Sequence, residues 1–225
     1  MHEKENSIKS RNRLLASTVI KNLQSRKFEA YYCDSAMEAA EKALSFIPEH
    51  SSVSWGGSVT LEESGLLNRV RQCSYTIIDR DKAQTMEERY DLMRQSLLCD
   101  TYLTSFNAVS EDGILVNVDS LGNRTAAITF GPKSVIAIVG MNKVCKTAED
   151  AVIRARTYAA PINVYRCSCS SSPFLHSPQK TPCLINGTCG DCKADDCNCS
   201  YIVQTRMCKT AGRIKIILVG ESLGF

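Results

Sequence analysis

The chain has 225 residues, 44% of them hydrophobic and 23% charged, and its formal net charge at pH 7 is +3. Lysines and arginines are spread along the chain without a basic run, which argues against nucleic-acid binding. The first residues are charged and no apolar run is long enough to span a membrane, so a protein without a signal peptide, located in the cytoplasm, is expected.

Helices and strands are predicted to alternate along the first part of the chain. Apolar residues recur at helical spacing from Asn6 to about Arg26, which predicts an amphipathic first helix. The predicted strands that follow are 28–33, 53–55, 75–78 and 100–105, and the helices between them are 36–46, one opened by Thr60, and 86–98.

The second part of the chain continues this alternation. After a predicted hairpin, residues 126–130 and 134–139 are apolar and β-prone, a helix is expected from Thr147 through Tyr158, and 214–219 suits a buried strand. Strands alternating with helices predict an α/β fold whose mostly parallel sheet is covered by helices on both faces.

The predicted hairpin spans residues 107–124 and is interpreted as one wall of a small-molecule site. Its turn, 110–113, contains Asp and Gly, which tolerate the backbone angles of a short reversal. The polar side chains exceed what a hairpin needs for solubility, and the ligand-binding candidates are Asn107, Asp119, Asn123 and Arg124. Arginine offers a bidentate fork to a carboxylate, whereas the alternative is a solvated turn with a surface arginine.

Two further segments supply candidates for binding an anion. Gly56, Gly57 and Ser58 stand between a strand and a helix, where backbone N–H groups can hold a phosphate or carboxylate, although two glycines can also simply make a tight turn. Lys143 follows the carboxyl end of a strand, where α/β sheets place ligands, and the alternative is an ordinary solvated lysine.

The predicted alternation of strands and helices stops between residues 161 and 209. This segment is rich in Ser and Pro and holds eight of the twelve cysteines, so we expect an α/β domain over 1–160, a cysteine-rich insertion over 161–209, and the domain's last strand in 210–225. An unstructured insertion of this length is improbable unless it is functional, disordered or held by something other than a core.

The cysteines of this segment are the candidates for a metal centre, namely Cys183, Cys189, Cys192 and Cys199. The pair 189 and 192 forms a Cys-x2-Cys knuckle that can present two thiolates to one metal, and two further cysteines complete a tetrahedral or cluster site. An iron–sulfur cluster, zinc, and free or redox-active thiols without metal all stay open, because disulfides are unexpected in a reducing compartment.

With these residues laid out, the chain resembles the LUD (lactate utilisation) family, the group that contains the LutC and YkgG proteins. The similarity runs from about residue 8 to the carboxyl terminus, and it is closest to short members that also carry the Thr181-Pro182-Cys183 and 189–199 cysteine motifs. The stretches that carry it are 53–61 with Gly65-Leu66, 100–107, 111–113 through 122–124, and 130–133.

The resemblance implies a fold like that of the ribose-phosphate isomerase, glucosamine-phosphate deaminase and CoA-transferase group, and a role in oxidising lactate beside iron–sulfur partner proteins. The leading hypothesis is therefore an accessory, electron-transfer subunit that binds a small anionic metabolite. Whether the chain has turnover of its own and forms a homo-oligomer stays open.

Two alternatives accompany this hypothesis. Residues 110–115 resemble the Ser-Glu-x-Gly stretch of CoA-transferases, in which the glutamate is the nucleophile, so Glu111 is the catalytic candidate of a stand-alone CoA-transferase-like or isomerase-like enzyme. That stretch usually continues into a glycine, whereas Val116 and Asn117 stand here, and an exposed turn acid is the other interpretation. The second alternative is a thiol redox sensor.

Overall fold

Ten strands and nine α-helices occur in the residues that the computed structural model describes, which are 2–170, 181–195 and 197–225. The strands are β1 (Glu29–Cys33), β2 (Ser52–Trp55), β3 (Thr76–Ile78), β4 (Thr101–Thr104), β5 (Ala108–Ser110), β6 (Leu115–Asp119), β7 (Ser134–Gly140), β8 (Val144–Cys145), β9 (Tyr201–Thr205) and β10 (Ile214–Val219). The α-helices are α1 (His2–Ser25), α2 (Ala36–Leu44), α3 (Val59–Glu63), α4 (Leu66–Gln72), α5 (Met86–Gln95), α6 (Asn123–Thr129), α7 (Ala148–Arg154), α8 (Ala160–Ser168) and α9 (Pro182–Asn186).

A six-stranded parallel sheet, in the order β1-β10-β7-β4-β2-β3, forms the centre of the fold. The last strand, β10, lies between β1 and β7 and is buried on both sides, as its continuous apolar run predicts. Strand β10 alternates between two cores, with Ile216 and Leu218 in one and Ile217 and Val219 in the other.

Helices cover both faces of this sheet. On one face, α1 and α6 contribute side chains such as Val19, Leu23 and Ile128 to the core. On the other face, α2, α3 and α4 pack through side chains such as Ala40 and Leu61. The predicted α/β architecture with helices on both faces is therefore confirmed.

A second, four-stranded sheet in the order β8-β5-β6-β9 contains the predicted hairpin. Strands β5 and β6 pair antiparallel, and the N–H of Gly113, at φ +89°, donates to the carbonyl of Ser110 at 2.9 Å. The hydroxyl of Ser110 accepts from the N–H of Ile114 at 2.9 Å. The turn thus follows from the Asp-Gly chemistry that predicted it.

The prediction of a strand at 126–130 is wrong, because helix α6 occupies most of these residues. The chain enters α6 through Gly122 at φ +81°, and the carboxylate of Asp119 accepts from the N–H of Thr125 at 3.0 Å. Ala127 and Ile128 are buried in the sheet core. Capping at the start and packing on one face outweigh the β propensity of this apolar run.

The helix predicted to end at Tyr158 continues to Ser168 through a π-helical turn at Ala155–Ala159. That turn lies just before Pro161, whose missing N–H disturbs the regular hydrogen-bond pattern of an α-helix. Helix α8 therefore occupies the start of the predicted cysteine-rich insertion, and β9 near its end pairs antiparallel with β6. Residues 171–180 and 196 of this segment lie outside the described residues.

None of the helices in the described ranges is long and apolar enough to cross a membrane.

Candidate functional site

A cavity of about 360 Å³ lies at the carboxyl ends of three neighbouring strands, β7, β4 and β2. Its walls come from the loops that follow β2, β4 and β6, from the 3₁₀ turn after β7, and from helices α5 and α8. Open α/β sheets bind ligands at this edge, because the loops there converge from several strands. The cavity is thus placed where a small-molecule site is expected.

The structure brings seven of the eight predicted ligand-binding residues together in the lining of this cavity. They come from four separate segments of the chain and are Gly57, Ser58, Asn107, Asp119, Asn123, Arg124 and Lys143. Gly56 lies beside the lining, and a Cβ at this position would stand 3.0 Å from the hydroxyl of Tyr102 and 3.2 Å from Cδ of Arg124.

The Gly56-Gly57-Ser58 loop forms part of the cavity because neighbouring side chains can approach its backbone closely. The hydroxyl of Ser58 accepts from the N–H of Leu61 at 3.3 Å and so caps its own helix, α3, which has only five residues. A Cβ at Gly57 would lie 2.9 Å from Nη2 of Arg80. The glycines therefore leave room for arginine side chains around the cavity.

A hydrogen-bond network fixes the hairpin wall of the cavity. Arg124 donates from Nη2 to the side-chain oxygen of Asn107 at 3.1 Å and to the carbonyl of Val118 at 2.6 Å. The carboxylate of Asp119 accepts from the N–H groups of Ser120 (3.1 Å) and Thr125 (3.0 Å). Asp119 thus organises the backbone, while Arg124 forms no ion pair with a described carboxylate.

Lys143 is buried at the cavity, with 3% of its surface exposed. Its Nζ donates to the hydroxyls of Thr60 at 2.7 Å and Ser105 at 3.1 Å. Burial, followed by the charges of Arg154 and Arg124, lowers the pKa of Lys143 to about 7. A large part of this lysine is therefore the neutral amine near neutral pH.

Three arginines of the cavity lining were not predicted as site residues from the sequence, namely Arg80, Arg89 and Arg166. Arg80 and Arg89 share the carboxylate of Asp81, at 3.9 Å and 2.9 Å. Arg166 donates to the side chain of Asn163 in the same helix, and no described carboxylate pairs with it. Arg166 lies beyond the predicted end of its helix, so the sequence offered no reason to place it in the site.

Thr60 and Ser105 also line the cavity and were missed as site residues. A signal for Ser105 existed, because it directly follows β4 at the carboxyl edge of the sheet. Several apolar side chains complete the lining, including Met86, Met93 and Phe106. The cavity therefore suits an anion with an apolar part.

Glu111, the catalytic candidate, does not line this cavity. Its carboxylate pairs with Nζ of Lys146 at 2.5 Å, and its backbone carbonyl accepts from the side chain of Asn22 at 2.7 Å. The structure therefore places Glu111 at the hairpin turn, engaged with a surface lysine and helix α1.

The four candidate metal ligands lie in one neighbourhood with a fifth cysteine, Cys197. Burial, followed by the nearby thiols of Cys189 and Cys192, raises the pKa of Cys183 above its usual value. Burial, with Cys197 the next cause, raises the pKa of Cys199 to about 12. All twelve cysteines are described, and none of them forms a disulfide.

This cysteine neighbourhood does not form a ready metal site. Nowhere in the described parts of the chain do three Cys, His, Asp or Glu side chains stand in an arrangement that could hold a metal ion. The guanidinium of Arg156 lies 3.9 Å from Sγ of Cys189 and also pairs with Asp191. The donor chemistry suits zinc or iron, but the described thiols are not arranged to bind either.

Comparisons with known proteins identify the family. One solved structure with a similar fold is the crystal structure of a DUF162 family protein from Deinococcus radiodurans, with a TM-score of 0.50 and 9% sequence identity over 92% of this chain and 98% of that one. No curated protein matches the chain in sequence. The family model for the LUD domain matches residues 16–219 and confirms the predicted resemblance. The chain therefore belongs to the LUD domain family, which is associated with lactate utilisation.

Proposed function

We propose that the chain is an accessory protein of lactate utilisation that binds a small anionic metabolite in the cavity. The observation that carries this proposal is the surplus of positive charge in the described lining, where four arginines and the largely neutral Lys143 face two acidic side chains. One of the acids, Asp119, is occupied by backbone N–H groups. Arg124 and Arg166 therefore offer guanidinium groups that a carboxylate or phosphate can pair with.

The size and lining of the cavity support a small organic anion over an inorganic ion alone. A volume of about 360 Å³ lies at the lower end of ordinary ligand sites. The lining contains apolar side chains such as Met86, Met93 and Phe106 as well as arginines. A hydroxy or oxo acid matches both features, and the family association with lactate utilisation agrees with that class of ligand.

Calorimetric titration with lactate, pyruvate and phosphate tests this proposal. The informative variant is Arg166→Met, because the hydrogen bonds of Arg166 among the described residues go only to Asn163 of its own helix. A hydrogen bond to a charged group contributes about 2 kcal/mol, so the dissociation constant should rise about tenfold or more.

The matched control is Arg94→Met, at an exposed arginine of α5 paired with Asp91. This variant should bind as the unsubstituted protein does. Absence of binding for every probe, or equal weakening in both variants, would contradict the proposed anion site.

We further propose that the cysteine neighbourhood takes up zinc or an iron–sulfur cluster and, in the latter case, passes electrons to iron–sulfur partner proteins. What supports this is the grouping of five thiols, since metal binding displaces thiol protons and can draw such ligands together. Metal analysis and an absorption spectrum of protein purified without oxygen test it. Cys192→Ser should lose the metal, while Cys73→Ser, at an exposed cysteine remote in sequence, should retain it.

A redox role without metal would give a different result in the same preparation. Metal-free protein that forms reversible disulfides under oxidant, detected by intact mass, would favour a thiol sensor.

The stand-alone enzyme remains a competing proposal with its own test. Catalysis by Glu111 predicts loss of turnover in Glu111→Gln with ligand binding retained. The ion pair with Lys146 and the position outside the cavity lining favour the binding function instead. Under that function, Glu111→Gln should leave the dissociation constant unchanged.

A further inference from the structure

We propose that Lys143 is a nucleophile that forms a Schiff base with the carbonyl group of a 2-oxo acid bound in the cavity. This inference rests on the proposed function, because it requires the same cavity to hold the acid's carboxylate. It goes beyond that function by assigning a covalent step to one side chain.

The surroundings of Lys143 are those of an uncharged amine. Its Nζ bonds to two neutral hydroxyls, of Thr60 and Ser105, and all three residues line the cavity. No described carboxylate forms an ion pair with this nitrogen, and the nearby Glu63 accepts from the N–H of Gly224 at 2.6 Å. A buried ammonium without a counter-ion is costly, so the site favours the amine.

Neighbouring cations strengthen this preference. Arg154, held by the carbonyls of Asn107 (2.6 Å) and Asn142 (3.2 Å), and Arg124 both lie close enough to act on Lys143. Enzymes activate nucleophilic lysines by this combination of burial and adjacent positive charge. With a pKa of about 7, a large part of Lys143 carries no proton at pH 7, whereas a lysine at the ordinary pKa is almost wholly protonated.

The positions of the arginines point to a 2-oxo acid as the substrate class. Arg124 has no carboxylate partner among the described residues and acts on Lys143 through its charge, so both side chains can contact one small molecule. A guanidinium pairs with the carboxylate of such an acid, and the adjacent carbonyl carbon is then presented to the amine. A hydroxy acid lacks that carbonyl group, so it can bind in the cavity but cannot form the Schiff base.

The proposed step needs no oxidant or reductant. The lone pair of Nζ attacks the carbonyl carbon as the carbon–oxygen double bond becomes single, and one proton passes from Nζ to this oxygen to give a neutral carbinolamine. A proton from solvent then converts the hydroxyl into water, whose departure leaves a carbon–nitrogen double bond and one positive charge on nitrogen. The hydroxyls of Thr60 and Ser105 are placed to exchange hydrogen bonds with Nζ as its proton leaves.

Reductive trapping tests this inference on the full chain. The protein is incubated with pyruvate at pH 7, treated with sodium borohydride, and measured by intact mass and peptide mapping. The expected product is heavier by the mass of the oxo acid less one oxygen atom, with the modification on Lys143. Lys143→Met should lose the adduct, whereas Lys146→Met, which removes an exposed lysine paired with Glu111, should retain it.

Mapping the adduct in unsubstituted protein keeps the test valid even if Lys143→Met folds poorly. An adduct on other lysines, or none at all, would overturn the inference. Calorimetry with pyruvate and lactate, run on the same samples, separates the two proposals. Binding without trapping leaves the anion site standing and removes the Schiff base, while absence of both removes the two together.

Discussion

Replacing Lys143 by methionine should change how the stability of the protein depends on pH. The folded protein holds this amine at a pKa of about 7, against 10.5 for an ordinary lysine. Between these values the unfolded chain binds more protons than the folded one, so the free energy of unfolding rises with pH. The penalty of burying Lys143 is complete below pH 7 and vanishes near pH 10.5.

The size of this effect follows from the shift and from the lost hydrogen bonds. A difference of about 3.5 between the two pKa values corresponds to about 5 kcal/mol. The unsubstituted protein loses this much free energy of unfolding at pH 7 by burying Lys143, and Lys143→Met does not. Removing the bonds to Thr60 and Ser105 costs about 1 kcal/mol each. The variant should therefore be more stable than the unsubstituted protein by about 3 kcal/mol at pH 7, and less stable by about 2 kcal/mol at pH 10.5.

Urea unfolding monitored by circular dichroism at pH 6, 7, 8, 9 and 10 measures this difference. Lys146→Met is the control for losing one lysine, because its amine lies at the surface beside Glu111. Other titrating groups affect all three proteins alike and cancel in the comparison. A stability difference between Lys143→Met and the unsubstituted protein that stays constant with pH would refute the reasoning.

Two further predictions concern the fold around the sheet. A hydrogen bond from Lys133, followed by those from β2, holds the pKa of Asp100 well below its usual range. Asp100→Asn should therefore lower the free energy of unfolding by about 1–2 kcal/mol at pH 7. Below about pH 4 the variant should lack the stability loss that protonation of Asp100 causes, and acid unfolding monitored by circular dichroism measures this difference. Gly131 adopts φ +121°, and a Cβ there would lie close against the carbonyl of Leu97, so Gly131→Ala should lower the free energy of unfolding by about 3 kcal/mol. The control, Gly65→Ala, shares a positive φ of +72° but faces open space and should cost only about 1 kcal/mol, so equal shifts of the urea midpoint would contradict the steric argument.

Local sequence chemistry determined most of the elements around the sheet. Caps and helical spacing predicted helices such as α2, and the apolar run of β10 predicted a strand buried on both faces. The Asp-Gly turn predicted the hairpin of β5 and β6. These signals are short-range, because capping, turn geometry and periodicity act within a few neighbouring residues.

Prediction was wrong where packing opposed local propensity. Residues 126–130 look β-prone in isolation but form part of helix α6, because Asp119 and Gly122 set its start and the sheet buries one of its faces. Likewise, the helix was predicted to end at Tyr158, whereas a π-helical turn carries it on to Ser168.

For the candidate site, the sequence by itself determined which residues after the strands could meet a ligand, since the carboxyl edge of a parallel sheet is a general site for loops that bind. Only the tertiary structure decided that Arg166, from a helix, joins Arg124 at one cavity and that Glu111 lies outside its lining. The same holds for Lys143, whose altered proton affinity depends on burial and on Arg154 and Arg124. The burial of a side chain and the charges that act on it come from residues in distant segments of the chain. No local sequence pattern therefore reveals them.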